Sequence, residues 1–234
     1  MTGVALVTGG ERGLGRLIAD RLAAAGYEVV SCSRHRDPSS ASKHIAVDLS
    51  DSDAPRRVVD RVLAENGCPS VVVNNAGAIL AYEGLPSEDP STALKTFSVN
   101  ALVPLEFCRL LAQPMTEAGG GNIINITSVY GSLACPEIVS YAASKAALLS
   151  TTRSLAVSLA GGRIRVNAIS PGNYDTEMTQ SAGSDYVSEV VQKTPWRRLG
   201  APIEVADAVE FILGADFMTG HELVLDGGIS LVGG

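Results

Sequence analysis

The sequence lacks several features that mark common functional classes. Its 234 residues carry 18 lysines and arginines against 25 acidic residues, and the net charge of −7 argues against a nucleic-acid partner. No apolar run approaches the roughly 20 residues that a membrane span needs. The first residues also show no basic and apolar leader. We therefore expect a cytoplasmic protein with no membrane or nucleic-acid partner.

Cysteine and histidine are scarce and scattered. Four cysteines lie far apart without a Cys-x-x-Cys pair, and the three histidines are isolated from one another. This spacing is typical of reduced cysteines and predicts no metal site. The sequence also contains no repeat and no Pro/Gly-rich linker. Residues 1–234 are therefore expected to form one domain.

Short apolar runs rich in valine and isoleucine alternate with amphipathic segments. The predicted strands are Val4–Val7, Tyr27–Cys32, His44–Val47, Val71–Val73, Asn122–Ile126, Ile164–Ile169 and Glu222–Leu225. The predicted helices are Leu14–Ala25, Asp53–Glu65, Ser91–Ala118, Ser140–Leu159 and Ile203–Leu213. This alternation favours an α/β fold, a single doubly wound domain with a seven-stranded parallel sheet and helices on both faces.

Two stretches depart from the alternation. Arg34–Lys43 is short and polar where a crossover helix is expected, so that helix is predicted to be truncated or missing. Glu177–Leu199 is longer than a simple crossover. Because a long insertion in such a fold is usually a binding loop, we expect a substrate lid at about residues 174–199.

A glycine-rich turn follows the first predicted strand. Thr8–Gly15 reads TGGERGLG, and a helix follows it. Glycines let the backbone approach a pyrophosphate, which then sits on the free N–H groups at the helix N-terminus. A purely structural turn is the alternative. The cofactor contacts expected here are Thr8, Gly9, Arg12, Gly13, Leu14 and Gly15.

The end of the second strand predicts which dinucleotide binds. NAD-binding proteins place an acid there for the ribose hydroxyls, whereas this chain has Ser33 and Arg34. Together with Arg12, these groups suit the 2′-phosphate of NADP(H), because arginine binds phosphate through a bidentate fork. Solvated surface arginines are the alternative, and Asp37 is a candidate for the missing acid.

Ser128, Tyr141 and Lys145 have a spacing that can support proton transfer. Tyr141 and Lys145 lie four residues apart on a predicted helix, so they share one face. A free tyrosine has a pKa of about 10, and a nearby ammonium favours its phenolate. Ser128 can hydrogen-bond a substrate oxygen and stabilise charge that develops there. The three groups can thus move a proton on and off a carbonyl oxygen beside a hydride donor.

At this point the motifs identify a family. Over essentially its whole length the chain resembles the short-chain dehydrogenases/reductases, and among them the 3-oxoacyl-[acyl-carrier-protein] reductase-like members. The matching motifs, in order, are Thr8–Gly15, Asp48-Leu49, Asn74-Asn75-Ala76-Gly77, Asn100, Ser128, Tyr141-x-x-x-Lys145, Pro171-Gly172, Thr176 and Asp226-Gly227-Gly228. The resemblance implies strand order 3-2-1-4-5-6-7, with the cofactor across the carboxyl ends of the strands.

The resemblance also implies roles for individual residues. Asn100 joins Ser128, Tyr141 and Lys145 as the fourth catalytic residue and holds a water that links Lys145 to solvent. Further cofactor contacts are implied at Asp48, Leu49, Asn75, Ala76, Gly77, Tyr141, Lys145, Pro171, Gly172 and Thr176. Pro104 has no N–H to donate to the Asn100 carbonyl, so we expect the Ser91–Ala118 helix to kink there and leave that carbonyl to the water.

The expected pocket is mainly apolar with some hydroxyls. Its predicted lining comes from Val129, Tyr130, Ala134, Cys135, Pro136 and Ile138, and from the lid residues Tyr174, Met178 and Tyr186. Such a lining favours a ketone or a cyclic or acyl carbonyl compound.

Three functions fit these patterns. The first is an NADPH-dependent reductase of ketone or 3-oxoacyl-type carbonyls, and the second a dehydrogenase of secondary or cyclic alcohols. The third is a regulator that binds NADP without turnover. The run before strand five has no basic residue, and the run at strand six has only Arg163 and Arg165. This scarcity of basic residues argues against docking of an acidic carrier protein.

The family also implies an oligomer. Helices equivalent to Ser91–Ala118 and Ser140–Leu159 pair between subunits in the family. Four leucines are expected on their exposed faces: Leu102, Leu105, Leu149 and Leu155. A homotetramer or homodimer is therefore expected.

Overall fold

The centre of the molecule is a parallel β-sheet. The computed structural model describes residues 3–80 and 89–232, and within them the sheet has seven strands in the order β3-β2-β1-β4-β5-β6-β7. The strands are β1 Val4–Thr8, β2 Glu28–Ser33, β3 Lys43–Ala46, β4 Pro69–Asn74, β5 Gly121–Ile126, β6 Ile164–Pro171 and β7 Glu222–Leu225. Fold class and strand order are therefore confirmed.

Helices cover both faces of this sheet. They are α1 Gly13–Ala24, α2 Ala54–Glu65, α3 Pro90–Phe97, α4 Val103–Glu117, α5 Val139–Leu159, α6 Glu177–Gln180, α7 Ser184–Lys193 and α8 Pro202–Gly214. Because side chains alternate along a strand, β1 contributes to two cores. Leu6 packs with residues of α2 and α4, whereas Val7 packs with residues of α1 and α8. No helix in the described ranges has the length and hydropathy of a membrane span.

The connection from β2 to β3 has no helix, as predicted. Its backbone is instead held by polar contacts. Asp37 accepts from the backbone N–H of Ser39 at 2.9 Å, and Ser40 and Ser42 are buried. This short connection leaves β3 as one edge of the sheet beside β2.

The helix predicted over Ser91–Ala118 is divided by a π-helical turn. α3 ends at Phe97, the π-turn spans Ser98–Leu102, and α4 begins at Val103. The N–H of Val103 donates to the Ser98 carbonyl five residues earlier, which widens the helix around Asn100. Pro104 is then the second residue of α4, where a backbone N–H is not required. The irregularity at Asn100 is thus a π-turn.

The insertion after β6 is closed at its base. A parallel bridge joins Tyr174 to Gly200, with Asp175 donating to the Gly200 carbonyl at 3.0 Å and Gly200 donating to the Asn173 carbonyl at 2.9 Å. A side chain at Gly200 would place its Cβ 2.5 Å from the Tyr174 ring. Tyr174 is itself 5% exposed and bonds the Leu225 carbonyl at 3.1 Å, so it belongs to the core and the expectation that it lines the pocket is wrong.

The exposed apolar residues of the π-turn, α4 and α5 differ in part from the expectation. Leu102 and Leu105 are exposed, but Leu149 is only 5% exposed and Leu155 is half-buried. Leu149 therefore packs inside the protein, because α5 is buried along much of its circumference by β6 and the turn after Ser128. Val157 is the strongly exposed apolar residue of this helix.

Arg165, the second residue of β6, has a structural role that the sequence did not reveal. Its guanidinium donates to the carbonyls of Ile212, Leu213, Ala215 and Met218 at 2.9 to 3.1 Å. It thus ties together the carbonyls at the C-terminus of α8 and in the turn that follows this helix. This half-buried side chain is not available to dock an acidic carrier.

We expect Arg165→Met to lower the free energy of unfolding by about 2–3 kcal/mol, because charge-assisted hydrogen bonds to the helix terminus are lost. The measurement is a urea unfolding curve with an unchanged slope. Arg163→Met, at the exposed neighbouring arginine, is the matched control and should change stability by less than about 0.5 kcal/mol. Equal effects of the two substitutions would contradict the capping role.

Candidate active site

The loops after β1 and β4 are fastened together by one threonine. The Thr8 hydroxyl accepts from the backbone N–H groups of Asn75 and Ala76 at 3.0 and 2.9 Å. In return, Asn75 Nδ2 donates to the carbonyls of Thr8 and Gly9 at 2.9 and 3.3 Å. These bonds fix the two loops at the carboxyl edge of the sheet, where ligands bind in open α/β sheets.

The glycine-rich turn has the form of a phosphate cradle. Gly9 and Gly13 have φ values of +67° and +53°, which favour glycine. A Cβ on Gly15 would lie 2.2 Å from the Gly9 carbonyl oxygen, whereas one on Gly13 would meet nothing within 4 Å. α1 begins here without a side-chain cap and without an acidic residue in its first turn. Its free N–H groups therefore fit the pyrophosphate of a dinucleotide. Leu14, the remaining residue expected here, is half-buried against the α1–α8 core.

Of the residues expected at the adenosine phosphate, Ser33 and Arg34 lie at the end of β2, whereas Arg12 lies in the glycine-rich turn before α1. Ser33 donates to the His35 carbonyl at 2.7 Å and lies 3.1 Å from His44 Nε2. Arg34 and Arg12 are both exposed, and Arg12 lies 3.7 Å from Glu177 at the start of α6. The two guanidinium groups are thus accessible to a phosphate.

Two carboxylates in this region, those of Asp37 and Glu11, already bind other groups of the protein. Asp37 pairs with Arg16 at 2.7 Å, so its carboxylate is not free for a ribose. The Glu11 carboxylate is buried, accepts from the Ser31 hydroxyl, and accepts from the backbone N–H of Asp37 at 2.8 Å. Glu11 was missed in the sequence, although an acid inside a glycine-rich turn is itself unusual enough to be a signal.

The other expected cofactor contacts surround the same edge. Asp48 accepts from the Ser50 N–H at 2.9 Å, and Leu49 is buried in the α2 core. Backbone and side-chain bonds from Ser50, with a smaller contribution from the charge of Arg34, lower the pKa of Asp48. A Cβ on Gly172 would lie 2.8 Å from Asp226 Cα, so Pro171-Gly172 packs against the loop after β7. The Thr176 hydroxyl caps α6 by accepting from the Thr179 N–H at 3.3 Å.

Lys145 is a buried cation beside a phenol. Its side chain is 3% exposed, and Nζ donates to the Ile126 carbonyl at 2.8 Å. The same Nζ lies 5.6 Å from the centre of the Tyr141 ring. Burial lowers the pKa of Lys145 to about 8, because removing an ammonium from water disfavours its charged form.

Asn100 is fully buried at the π-turn and fixes the neighbouring loop. Its side chain accepts from the Ala78 N–H at 2.8 Å and donates to the Ala78 carbonyl at 2.9 Å. It also donates to the Ser144 hydroxyl at 3.0 Å, and Ser144 donates to the Tyr141 carbonyl at 2.7 Å. A Cβ on Gly77 would lie 3.4 Å from both Asn100 Oδ1 and Lys145 Nζ. Asn100, Lys145 and the loop after β4 thus meet at one point.

Ser128 lies on a turn that packs against α5. The residue is 5% exposed, and its hydroxyl accepts from the Tyr130 N–H at 3.3 Å. A Cβ on Gly131 would lie 2.9 Å from the Ala146 nitrogen, so only glycine allows this approach. The contact holds the turn after Ser128 against the helix that carries Tyr141 and Lys145.

Ser144 was missed in the sequence as a functional residue. It couples Asn100 to the Tyr141 backbone, and a hydroxyl three residues after Tyr141 on one helix face was the available signal. Within the described residues, no group of three or more His, Cys, Asp or Glu side chains could hold a metal ion.

Comparison with known proteins gives a consistent result. A family model described as enoyl-(acyl carrier protein) reductase matches residues 9–230. The 3-oxoacyl-[acyl-carrier-protein] reductase of Chlamydia trachomatis is 33% identical, over 97% of this chain and 96% of that protein.

Two solved structures have the same fold at high similarity. Aldohexose dehydrogenase of Thermoplasma acidophilum in ligand-free form superposes with a TM-score of 0.92 at 32% identity, covering 98% of this chain and 94% of that one. A 4-hydroxyisoleucine dehydrogenase complexed with NADH gives a TM-score of 0.91 at 26% identity, covering 98% and 99%.

The buried ammonium predicts how stability changes with pH. Since the pKa of Lys145 is lowered from 10.5 to about 8 by folding, the unfolded chain binds the extra proton between these values. Lys145→Met removes this linkage, so its stability relative to the wild type should fall as the pH rises from 8 to 10.5, by on the order of 3 kcal/mol. Urea unfolding of both proteins across this range measures it; a constant difference would show that Lys145 is not buried as a titrating group.

Proposed function

The chain belongs to the short-chain dehydrogenase/reductase family, and on this premise we propose that it reduces a ketone or 3-oxoacyl-type carbonyl to a secondary alcohol with NADPH. The observation that carries the proposal is the buried Lys145 ammonium next to the Tyr141 ring. Burying the Lys145 ammonium costs desolvation free energy. In this reaction the charge stabilises the phenolate of Tyr141, which must gain and lose a proton.

Each catalytic group has one task in this reaction. When bound, the nicotinamide cofactor supplies the hydride. Tyr141 acts as the general acid that protonates the carbonyl oxygen, while Ser128 donates a hydrogen bond to the same oxygen. The ammonium of Lys145 stabilises the phenolate that remains. In the reverse direction the phenolate removes the proton from the alcohol.

Proton supply is the task we propose for Asn100. Its side chain is committed to Ala78 and Ser144, so the main-chain carbonyl is the group left to hold a water. Pro104 cannot donate to that carbonyl. The water would connect Lys145 to bulk solvent and restore the proton that Tyr141 delivers.

NADP(H) is the cofactor that we propose. Arg34 directly follows β2, Arg12 lies in the glycine-rich turn before α1, and both are exposed, whereas the candidate acid Asp37 is paired with Arg16. Two accessible guanidinium groups suit a 2′-phosphate better than the ribose diol. Cofactor contacts are proposed at the remaining family positions described above, including Pro171, Gly172 and Thr176.

The second candidate is the oxidation of a secondary or cyclic alcohol. It is favoured by the two structural neighbours whose names describe dehydrogenases. The same four groups serve both directions, so the direction is set by the cofactor ratio and the substrate. A regulator that binds NADP without turnover does not need Asn100, Ser128, Tyr141 and Lys145 together.

We also propose a homotetramer or homodimer in the cytoplasm. Leu102 in the π-turn, Leu105 on α4 and Val157 on α5 are exposed, and exposed apolar residues favour contact with a second subunit. All four cysteines, each within the described ranges, are free thiols, which suits a reducing compartment.

Tyr141→Phe should lower kcat for NADPH-dependent ketone reduction by roughly 10²- to 10⁴-fold, because the general acid is removed. Binding of NADPH, followed by its fluorescence, should change little. Tyr27→Phe, at the amino-terminal edge of the sheet, is the control and should retain full activity. Turnover that survives the Tyr141 substitution would disprove the mechanism.

Arg34→Ala should weaken NADPH binding by about tenfold or more and leave NADH binding unchanged, since only NADPH carries the 2′-phosphate. Dissociation constants for both cofactors give the ratio directly. Arg61→Ala removes an exposed arginine of α2 paired with Glu65 and serves as the matched control. An unchanged NADPH/NADH ratio in the Arg34 variant would exclude Arg34 as the phosphate ligand.

A further inference from the structure

Three polar side chains from distant parts of the chain meet under the lid. The Tyr130 hydroxyl donates to Asn173 Oδ1 at 3.2 Å and accepts from Asn173 Nδ2 at 3.0 Å. The Tyr186 hydroxyl donates to the same Oδ1 at 3.2 Å and lies 3.5 Å from the Tyr130 hydroxyl. We call Tyr130, Asn173 and Tyr186 the Tyr–Asn–Tyr cluster.

The cluster lies beside the reacting groups. Tyr130 is two residues after Ser128, whose hydroxyl accepts from the Tyr130 N–H. Asn173 directly follows Pro171-Gly172 at the end of β6. Burial, together with the neighbouring phenol of Tyr130, raises the pKa of Tyr186, so Tyr186 is a neutral hydrogen-bonding phenol in this cluster.

The lid helix does not need the Tyr186 hydroxyl to stay in place. Tyr186 and Val190 lie one turn apart on one face of α7. Val190 is 4% exposed and packs with Val129 and Ile229, which gives α7 an apolar anchor on the turn after Ser128. The polar cluster is therefore available for a task other than holding the lid.

The internal bonds leave hydrogen-bonding capacity that can face a ligand. Asn173 Nδ2 has two hydrogens, and the cluster uses one. Both phenol oxygens keep lone pairs, and Tyr186 is 37% exposed, so the cluster is reachable from solvent. A bound molecule with a hydroxyl group could accept from the amide and donate to a phenol oxygen.

We propose that the Tyr–Asn–Tyr cluster selects carbonyl substrates that carry a hydroxyl group beyond the reacting carbonyl, so that the substrate is a hydroxylated ketone and not a hydrocarbon acyl chain. The proposal rests on the carbonyl reduction proposed above and specifies its substrate class. A hydrocarbon chain packed against the cluster would displace water from three polar side chains and would not replace the hydrogen bonds that the water made. Each such loss disfavours binding, and a substrate hydroxyl avoids it.

The experiment compares isosteric pairs of ketones. The probes are cyclohexanones with a hydroxyl group at position 2, 3 or 4, each paired with the cyclohexanone that has a methyl group at the same position. Binding to the NADP⁺-loaded protein is measured by calorimetry, and kcat/KM is measured with NADPH. The proteins are the wild type, Tyr186→Phe, Tyr130→Phe and, as the matched control, Tyr27→Phe.

The wild type should prefer the hydroxyl member of at least one pair by about tenfold or more, and Tyr186→Phe or Tyr130→Phe should reduce that preference to within about threefold. Tyr27→Phe should keep the full preference. A role confined to holding α7 would change both members of a pair by the same factor, and that result would overturn the proposal. So would a wild type without preference at any position, or one that binds neither member of any pair.

The two proposals fail in different ways. If hydroxyl-dependent binding is present but no probe is turned over with NADPH, the cluster recognises hydroxyl groups and the proposed reduction is wrong. If turnover occurs equally for both members of every pair, the reduction stands and the recognition role is wrong.

Discussion

The buried ammonium of Lys145 is the constraint around which the site is arranged. An ammonium removed from water needs a compensating contact, and here the Ile126 carbonyl at the end of β5 supplies it at 2.8 Å. Two glycines let other backbone segments approach Lys145 closely. Gly77 leaves space beside Nζ, and Gly131 lets the turn after Ser128 rest against the lysine's own backbone. The position of the cation thus fixes the loops that surround it.

A chain of amides connects this point to the sheet. Asn74 at the end of β4 donates to Asn125 in β5 at 2.8 Å, and Asn125 donates to Thr152 of α5 at 2.8 Å. The Thr8 hydroxyl connects the loops after β1 and β4, because it accepts from two backbone N–H groups of the second loop. Because parallel strands end at the same edge, bonds between neighbouring strand ends align the glycine-rich turn with the helix that carries Tyr141 and Lys145. The sheet therefore holds the residues of the candidate site in fixed positions.

The sequence predicted those parts of the structure that depend on local pattern. Alternating apolar and amphipathic segments located the strands, and the four-residue spacing placed Tyr141 and Lys145 on one helix face. Contacts between segments that are distant in the sequence could not be predicted from local pattern. The burial of Leu149 depends on β6 and the turn after Ser128, and Tyr174 is held in the core by Gly200 and Leu225. Pro104 indicated an irregular helix, but a break and a π-turn have the same sequence signature, so only the structure separates them.

The lid is held by unequal contacts, and this inequality bears on how a substrate enters. At its start, Glu177 meets Arg12 of the cofactor turn at 3.7 Å, but both side chains are more than 70% exposed, so this ion pair contributes little. Val190 of α7, in contrast, is buried against Val129 and Ile229. The apolar contact therefore positions α7 over the turn that carries Ser128, whereas the start of the lid can separate from the cofactor turn at low cost. Under the proposed function, we therefore expect a substrate to enter from the side of α6 and to pass the Tyr–Asn–Tyr cluster on its way to Ser128.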